Sequence, residues 1–140
     1  MEWVEEFYTK QEAWSGIYTS DVSDYHRGKA LLLQSLAGDP PKAVLELGAG
    51  GGQAALATAE LGYHVTAIEL LPTSAAHAAQ LSTRTRNGSR DVIPGDFYTV
   101  QSDGPYDVVG YWDGFGIGQD DDQVRLLRSM AQWLKPTGVA

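Results

Sequence analysis

The side chains that could do chemistry in this sequence gather around one glycine-rich stretch, Val44-Leu-Glu-Leu-Gly48-Ala-Gly50-Gly-Gly52. Glycines in such a turn let backbone approach a ligand closely, and the start of the following helix offers free N–H groups. The spacing is G-x-G-x-G. A dinucleotide fingerprint needs a third glycine at position 53, which here is Gln53. Three acids accompany the turn: Glu46 just before it, Glu69 at the end of the next apolar run, and Asp96 after Gly95. A carboxylate at Glu46 repels a pyrophosphate and favours a cationic ligand, while one at Glu69 can accept both hydroxyls of a ribose. The set suits a ligand with a ribose, an amine and a positive centre.

Bringing these residues together requires strands that end at one edge. Ala43 to Leu47 reads as a short buried strand, followed by an alanine-rich helix to about Leu61. His64 to Ile68 reads as a second strand, and Pro72 is placed to open a helix through about Ser82. Asp91–Ile93 and Tyr106–Tyr111 read as third and fourth strands, and Asp120-Asp-Asp122 opens a helix with Val124, Leu127, Ala131 and Leu134 on one face. Upstream, Trp3 and Phe7 mark a helix broken near Ser15-Gly16. A second helix runs from about Val22 to Ala37, with Tyr25, Leu32, Leu33 and Leu36 as inward positions, and stops at Gly38-Asp-Pro-Pro41. Strands alternating with helices give an α/β class, a Rossmann-like parallel sheet with flanking helices. Lys135 to Ala140 reads as the threshold of a fifth strand, so the sheet is expected to be truncated there. A central strand would then lie at the edge, which points to a fragment or to a homodimer covering that edge.

Glu46-Leu-Gly48-Ala-Gly50-Gly-Gly52, Glu69, Gly95-Asp96-Phe97, Tyr106-Asp-Val-Val109 and Leu134-Lys-Pro-Thr-Gly138, in that order, resemble the motif series of class I S-adenosylmethionine (SAM)-dependent methyltransferases. The resemblance covers about Val44 to Ala140. It implies a SAM-binding Rossmann-like domain over 42–140, incomplete at its C-terminus, behind an N-terminal helical lid segment over 1–41. It also implies that Glu46, Gly48, Ala49, Gly50 and Gly52 hold the methionine part of SAM. Glu69 would take the ribose hydroxyls, Leu70 an adenine face, Asp96 the adenine amino group, and Phe97 would pack beside the ring. Thr137 departs from the family's usual glycine, and nothing here corresponds to its fifth, sixth and seventh strands, which carry part of the acceptor pocket. In the lid segment Trp14, Tyr18, His26 and Arg27 become candidates to touch cofactor or acceptor, Arg27 through the cofactor carboxylate and His26 by accepting a proton from a hydroxyl.

The loop Tyr111-Trp-Asp-Gly-Phe-Gly-Ile-Gly118 follows the fourth strand, at the edge where open α/β sheets bind ligands. Asp113 is its candidate general base or orienter of an acceptor amine, and equally reads as a turn residue before Gly114. Trp112 is a candidate pocket wall. His64 and His77 read as structural, and the histidines lack metal-ligand spacing, so no metal is expected. The chain has 140 residues, 43% hydrophobic, a formal net charge of −8 and no cysteine. That excludes disulfides and a thiol nucleophile, and it disfavours nucleic acid or an anionic membrane as partner. The N-terminus lacks the basic and apolar regions of a signal peptide, and a cytoplasmic location is expected. The expected function is methyl transfer from SAM to oxygen or nitrogen of a small-molecule acceptor. The alternatives are an NAD-dependent oxidoreductase and a non-catalytic, truncated SAM-binding half-domain.

Overall fold

A computed structural model describes residues 2–140. Two helices, α1 (Glu2–Ser15) and α2 (Asp24–Ala37), precede the sheet and are joined by a 3-10 turn at Ile17–Thr19. Then come β1 (Ala43–Leu47), α3 (Gln53–Glu60), β2 (His64–Glu69), α4 (Pro72–Ser82), β3 (Ser89–Pro94), β4 (Tyr106–Gly110), α5 (Asp120–Trp133) and β5 (Leu134–Val139). The sheet order is β3-β2-β1-β4-β5, and every neighbouring pair is parallel. Helices cover both faces, the α/β Rossmann-like arrangement that the alternation of strands and helices implies. Among the described residues, no helix is long and apolar enough to cross a membrane.

β1 is the centre of the sheet, and its side chains alternate between two cores. Val44 packs with Leu33, Ala55, Ala59, Val65 and Val108 on the face covered by α2 and α3. Leu45 and Leu47 pack with Ile68, Val109, Leu126 and Met130 on the face covered by α5. The four alanines of α3 are all buried, and their small size lets the helix lie close against the sheet. In register, Glu46 sits level with Gly110, Leu47 with Ile68, and Glu69 with Pro94. The strand ends, with the residues that follow them, therefore reach one carboxyl edge.

Several expectations need correction. The fifth strand forms: Leu134–Val139 pairs with β4, so β4 is not an edge and the sheet is not cut at four strands. β3 is longer than Asp91–Ile93, because Ser89 and Arg90 pair with His64 and Val65. On α2 the inward residues are Ala30 and Leu33, whereas Tyr25, Leu32 and Leu36 are exposed. On α5 the buried pair is Leu126 and Met130; Val124, Leu127 and Ala131 face out, and Leu134 belongs to β5. Each helix carries two overlapping apolar stripes at helical spacing, and only the partner surface decides which one is buried.

The glycine turn is clamped from below by Arg90, which is 7% exposed. Its guanidinium donates to the Gly52 carbonyl at 2.7 Å and to the Ala78 carbonyl. Gly52 has φ 79°, and a Cβ there would lie 2.6 Å from the Ala78 Cβ, so no other residue fits between α3 and α4. Arg90→Met would remove two charge-assisted hydrogen bonds, leaving the Gly52 carbonyl only the Leu56 N–H at 2.9 Å, and is expected to cost about 1–3 kcal/mol. The check is urea denaturation, with a lower midpoint at unchanged slope.

Candidate functional site

A cavity of about 550 Å³ opens at the carboxyl edge of the sheet. Its floor is the turn at Gly48–Gly50, and α1, the 3-10 turn and α2 wall it from above. The 3-10 turn is held at both ends of its approach. Glu12 accepts the Tyr18 N–H at 2.8 Å and the Thr19 hydroxyl at 2.7 Å, and Gln53 Nε2 donates to the Ile17 and Ser20 carbonyls at 3.1 and 2.9 Å. The side chain at position 53 thus has a job no glycine could do. The Tyr18 ring lies over Gly50 so closely that a Cβ there would come within 2.9 Å of it.

Glu69 stands at the end of β2, 6% exposed. Its carboxylate accepts the Gly50 N–H at 2.7 Å and the Leu71 N–H at 2.8 Å. Each oxygen keeps a lone pair for a further donor, the geometry that two vicinal hydroxyls require. Burial pushes its pKa up, against the pull of these N–H groups.

Glu46 is different. It is 4% exposed and lines the cavity, yet its carboxylate accepts no hydrogen bond from any described residue. Burial pushes its pKa up to about 7, against the attraction of Lys29 and Arg90. Such a carboxylate is satisfied only when a donor enters the cavity, and a cationic donor satisfies it best.

The other candidates divide by position. Gly48, Ala49, Gly50, Leu70, Phe97 and Trp112 line the cavity with the two glutamates. Gly52 does not; it caps α3 behind the turn. Asp96 borders a small recess of about 20 Å³ beside Val4, Leu70, Phe97 and Ile117, and its side chain accepts the Tyr98 N–H at 2.8 Å. On the loop after β4, Asp113 accepts hydrogen bonds from Lys29 Nζ at 2.5 Å and the Tyr25 hydroxyl at 2.6 Å, which hold its carboxyl below the usual range. A carboxylate so held is a weak base. His26 lines the cavity, but its Nδ1 accepts the Ser23 N–H at 3.0 Å, so in the neutral ring the proton sits on Nε2. That arrangement caps α2 and presents a donor rather than a base. Arg27 lies outside the cavity lining, 3.1 Å from Asp24, and Trp14 is 82% exposed and also outside it.

The structure adds Tyr8, Lys29 and Tyr111 to the lining. Lys29 was detectable as the residue four after Tyr25 on one helix face. Tyr111 packs edge-on against Phe97, with ring centroids 5.2 Å apart, and its hydroxyl is buried with no partner. No sequence signal distinguishes it from a core tyrosine.

Two outcomes follow from these burials. The folded chain keeps a proton on Glu46 up to about pH 7. The unfolded chain releases it near the ordinary value of 4.5, so the folded state binds more protons between these values and stability falls as pH rises through that window. Glu46→Gln removes this contribution, and thermal melts at pH 5 and pH 8 should show a smaller loss on the alkaline side than wild type. Tyr111→Phe deletes an unpaired buried hydroxyl and is expected to leave stability unchanged or raise it by up to about 1 kcal/mol, read from the same melts.

A family model described as a methyltransferase domain matches residues 44–138. The cypemycin N-terminal methyltransferase of Streptomyces sp is 32% identical over 101 residues, 71% of this chain and 40% of that protein. The methyltransferase CcbJ from Streptomyces caelestis superposes with a TM-score of 0.69 at 25% identity, covering 84% of this chain and 49% of that one. The glycopeptide N-methyltransferase MtfA complexed with SAM does so with a TM-score of 0.69 at 23% identity, over 81% of this chain and 51% of that one, a likeness of fold. The chain thus spans 40% of the curated relative and about half of these two structures. A central β1, a glycine turn ending in Gly52, acids closing β1 and β2 and a match over residues 44–138 have one common explanation: the chain belongs to the family of class I SAM-dependent methyltransferases.

Proposed function

We propose that this chain binds SAM in the cavity and serves methyl transfer to the nitrogen of a small-molecule amine, with residues 1–41 as a lid over the cofactor. The observation that carries the reading is Glu46, a buried carboxylate without a hydrogen bond, across the glycine turn from a Glu69 that keeps acceptor capacity. An ammonium is the donor that Glu46 lacks, and a ribose is the diol that Glu69 fits. Leu70 and Phe97 offer apolar surface for a purine, with Asp96 at the recess beside them. When bound, SAM supplies a methyl group activated by its sulfonium.

The chain's own part is placement. The wall of Tyr8, Tyr18, Phe97 and Tyr111 excludes water, and the turn fixes where the cofactor lies. Alignment of an acceptor supplies most of the rate without a strong base, which agrees with the states of Asp113 and His26. Nitrogen is favoured over oxygen because an amine needs no base as strong as a hydroxyl does, and because the named relatives include N-methyltransferases. The NAD alternative is disfavoured on two counts: Glu46 would face a pyrophosphate, and Gln53 is committed to the lid turn.

Calorimetric titration with SAM, with NAD in parallel, tests this. SAM should bind and NAD should not. Glu69→Gln, which keeps one side-chain oxygen to accept a backbone N–H, should weaken SAM binding by about 10-fold, about 1.4 kcal/mol. NAD binding without SAM binding would overturn the reading.

A further inference from the structure

Beyond the two glutamates, the part of the cavity lined by Tyr25, Lys29, Trp112 and Asp113 has its own construction. Asp113 projects from the loop after β4 and receives Lys29 Nζ and the Tyr25 hydroxyl on the same oxygen, Oδ2. The Lys29 ammonium lies 4.5 Å from the centroid of the Tyr25 ring and 5.7 Å from that of Trp112. A carboxylate with two aromatic faces around one cation is the composition of an organic-ammonium site. Asp113 holds its place at a backbone φ of 58°, the one non-glycine residue with positive φ among those described. Such a conformation persists only where the surroundings impose it.

We propose that Lys29 occupies, with its own ammonium, the subsite that receives the ammonium of the acceptor, so that the substrate class is a cationic amine carrying an apolar body; the bound ammonium gives one proton to solvent water before its freed lone pair can take a methyl group. The inference rests on the amine reading above and extends it to a named subsite. Among the described residues, Lys29 is the sole lysine or arginine of the cavity lining, and its charge sits on a flexible stem. Its side chain is 15% exposed, whereas that of Asp113 is 66% exposed, so the carboxylate faces the cavity mouth where an incoming amine arrives. An ion pair open to water on one side is worth little, so a competing ammonium can displace Lys29 at modest concentration. Beside this subsite the mouth is apolar: Phe7, Ile17 and Tyr25 line the cavity and remain about half exposed. An anion has no comparable welcome, since Lys29 is already neutralised and Glu46 lies within its electrostatic reach.

The probe is phenethylammonium, with phenethyl alcohol as the neutral control. Lys29→Met keeps an unbranched side chain of similar length, and should bind phenethylammonium about fivefold or more tighter than wild type. The gain should vanish in Lys29→Met combined with Asp113→Asn, Lys29→Arg should behave as wild type, and the alcohol should show no gain. Equal or weaker ammonium binding by folded Lys29→Met, or an equal gain for the alcohol, overturns the proposal. In the wild-type chain, NMR of the lysine Cε–H groups gives an independent reading. Phenethylammonium, and not the alcohol, should move the Lys29 signal to a solvent-exposed position, and an unmoved signal at saturation overturns the proposal. SAM titration of the wild type separates the two readings. Intact SAM binding with no ammonium effect removes only this inference, whereas absent SAM binding removes the function proposed above.

Discussion

The turn between β1 and α3 is held from two sides by opposite charges, and the site is built outward from that clamp. From the cavity side the Glu69 carboxylate takes the Gly50 N–H; from behind, the Arg90 guanidinium takes the Gly52 carbonyl. Both groups come from neighbouring parallel strands, β2 and β3, so the sheet register sets the turn's position. Glycines alone would leave the turn entropically loose. Tying its N–H and C=O groups to fixed charges converts that freedom into one defined surface, on which a ligand can lie within contact distance of backbone.

The same clamp explains the uneven electrostatics of the cavity. Arg90 is committed to the Gly52 and Ala78 carbonyls, and Lys29 to Asp113. Neither donates to Glu46, although both lie near enough to pull its pKa down. Desolvation wins, and Glu46 is left as the one cavity acid whose needs the protein does not meet. An unmet buried carboxylate is costly to the free fold, and that cost is returned only when a donor arrives. A structure optimised for stability alone would place an apolar side chain there.

The N-terminal segment completes the chamber through contacts that are weak one by one. α1 contributes Val4, Phe7, Tyr8 and Gln11, and the 3-10 turn contributes Tyr18, whose hydroxyl donates to Gln11 at 2.7 Å. Trp3, Phe7 and Trp14 stay largely exposed, so little of this helix is anchored by a core. A wall with few buried apolar contacts is the part of a fold that opens first. β1, β2 and β4 keep the acids fixed beneath that wall.

What the sequence by itself determined is the order of elements and the acids at their ends. Strand and helix periods, a glycine run and single residues such as Glu46 and Glu69 at strand termini are local patterns, and a parallel sheet brings such termini to one edge whatever else the chain does. The family's motif order was readable for the same reason. Tertiary structure decided what depends on partners distant in sequence. It selected Ala30 and Leu33 over Leu32 and Leu36, because the surface of α3 and the sheet chooses between two stripes that periodicity leaves equivalent. It turned Arg27 away and brought Lys29 in, through a bond to Asp113 that spans 84 positions. It placed Arg90, otherwise one of a few scattered arginines, beneath the glycine turn, and left the Tyr111 hydroxyl unpaired beside Phe97. Which face a helix buries, and which charge meets which, are properties of surfaces in contact, and those surfaces exist only once the chain has folded.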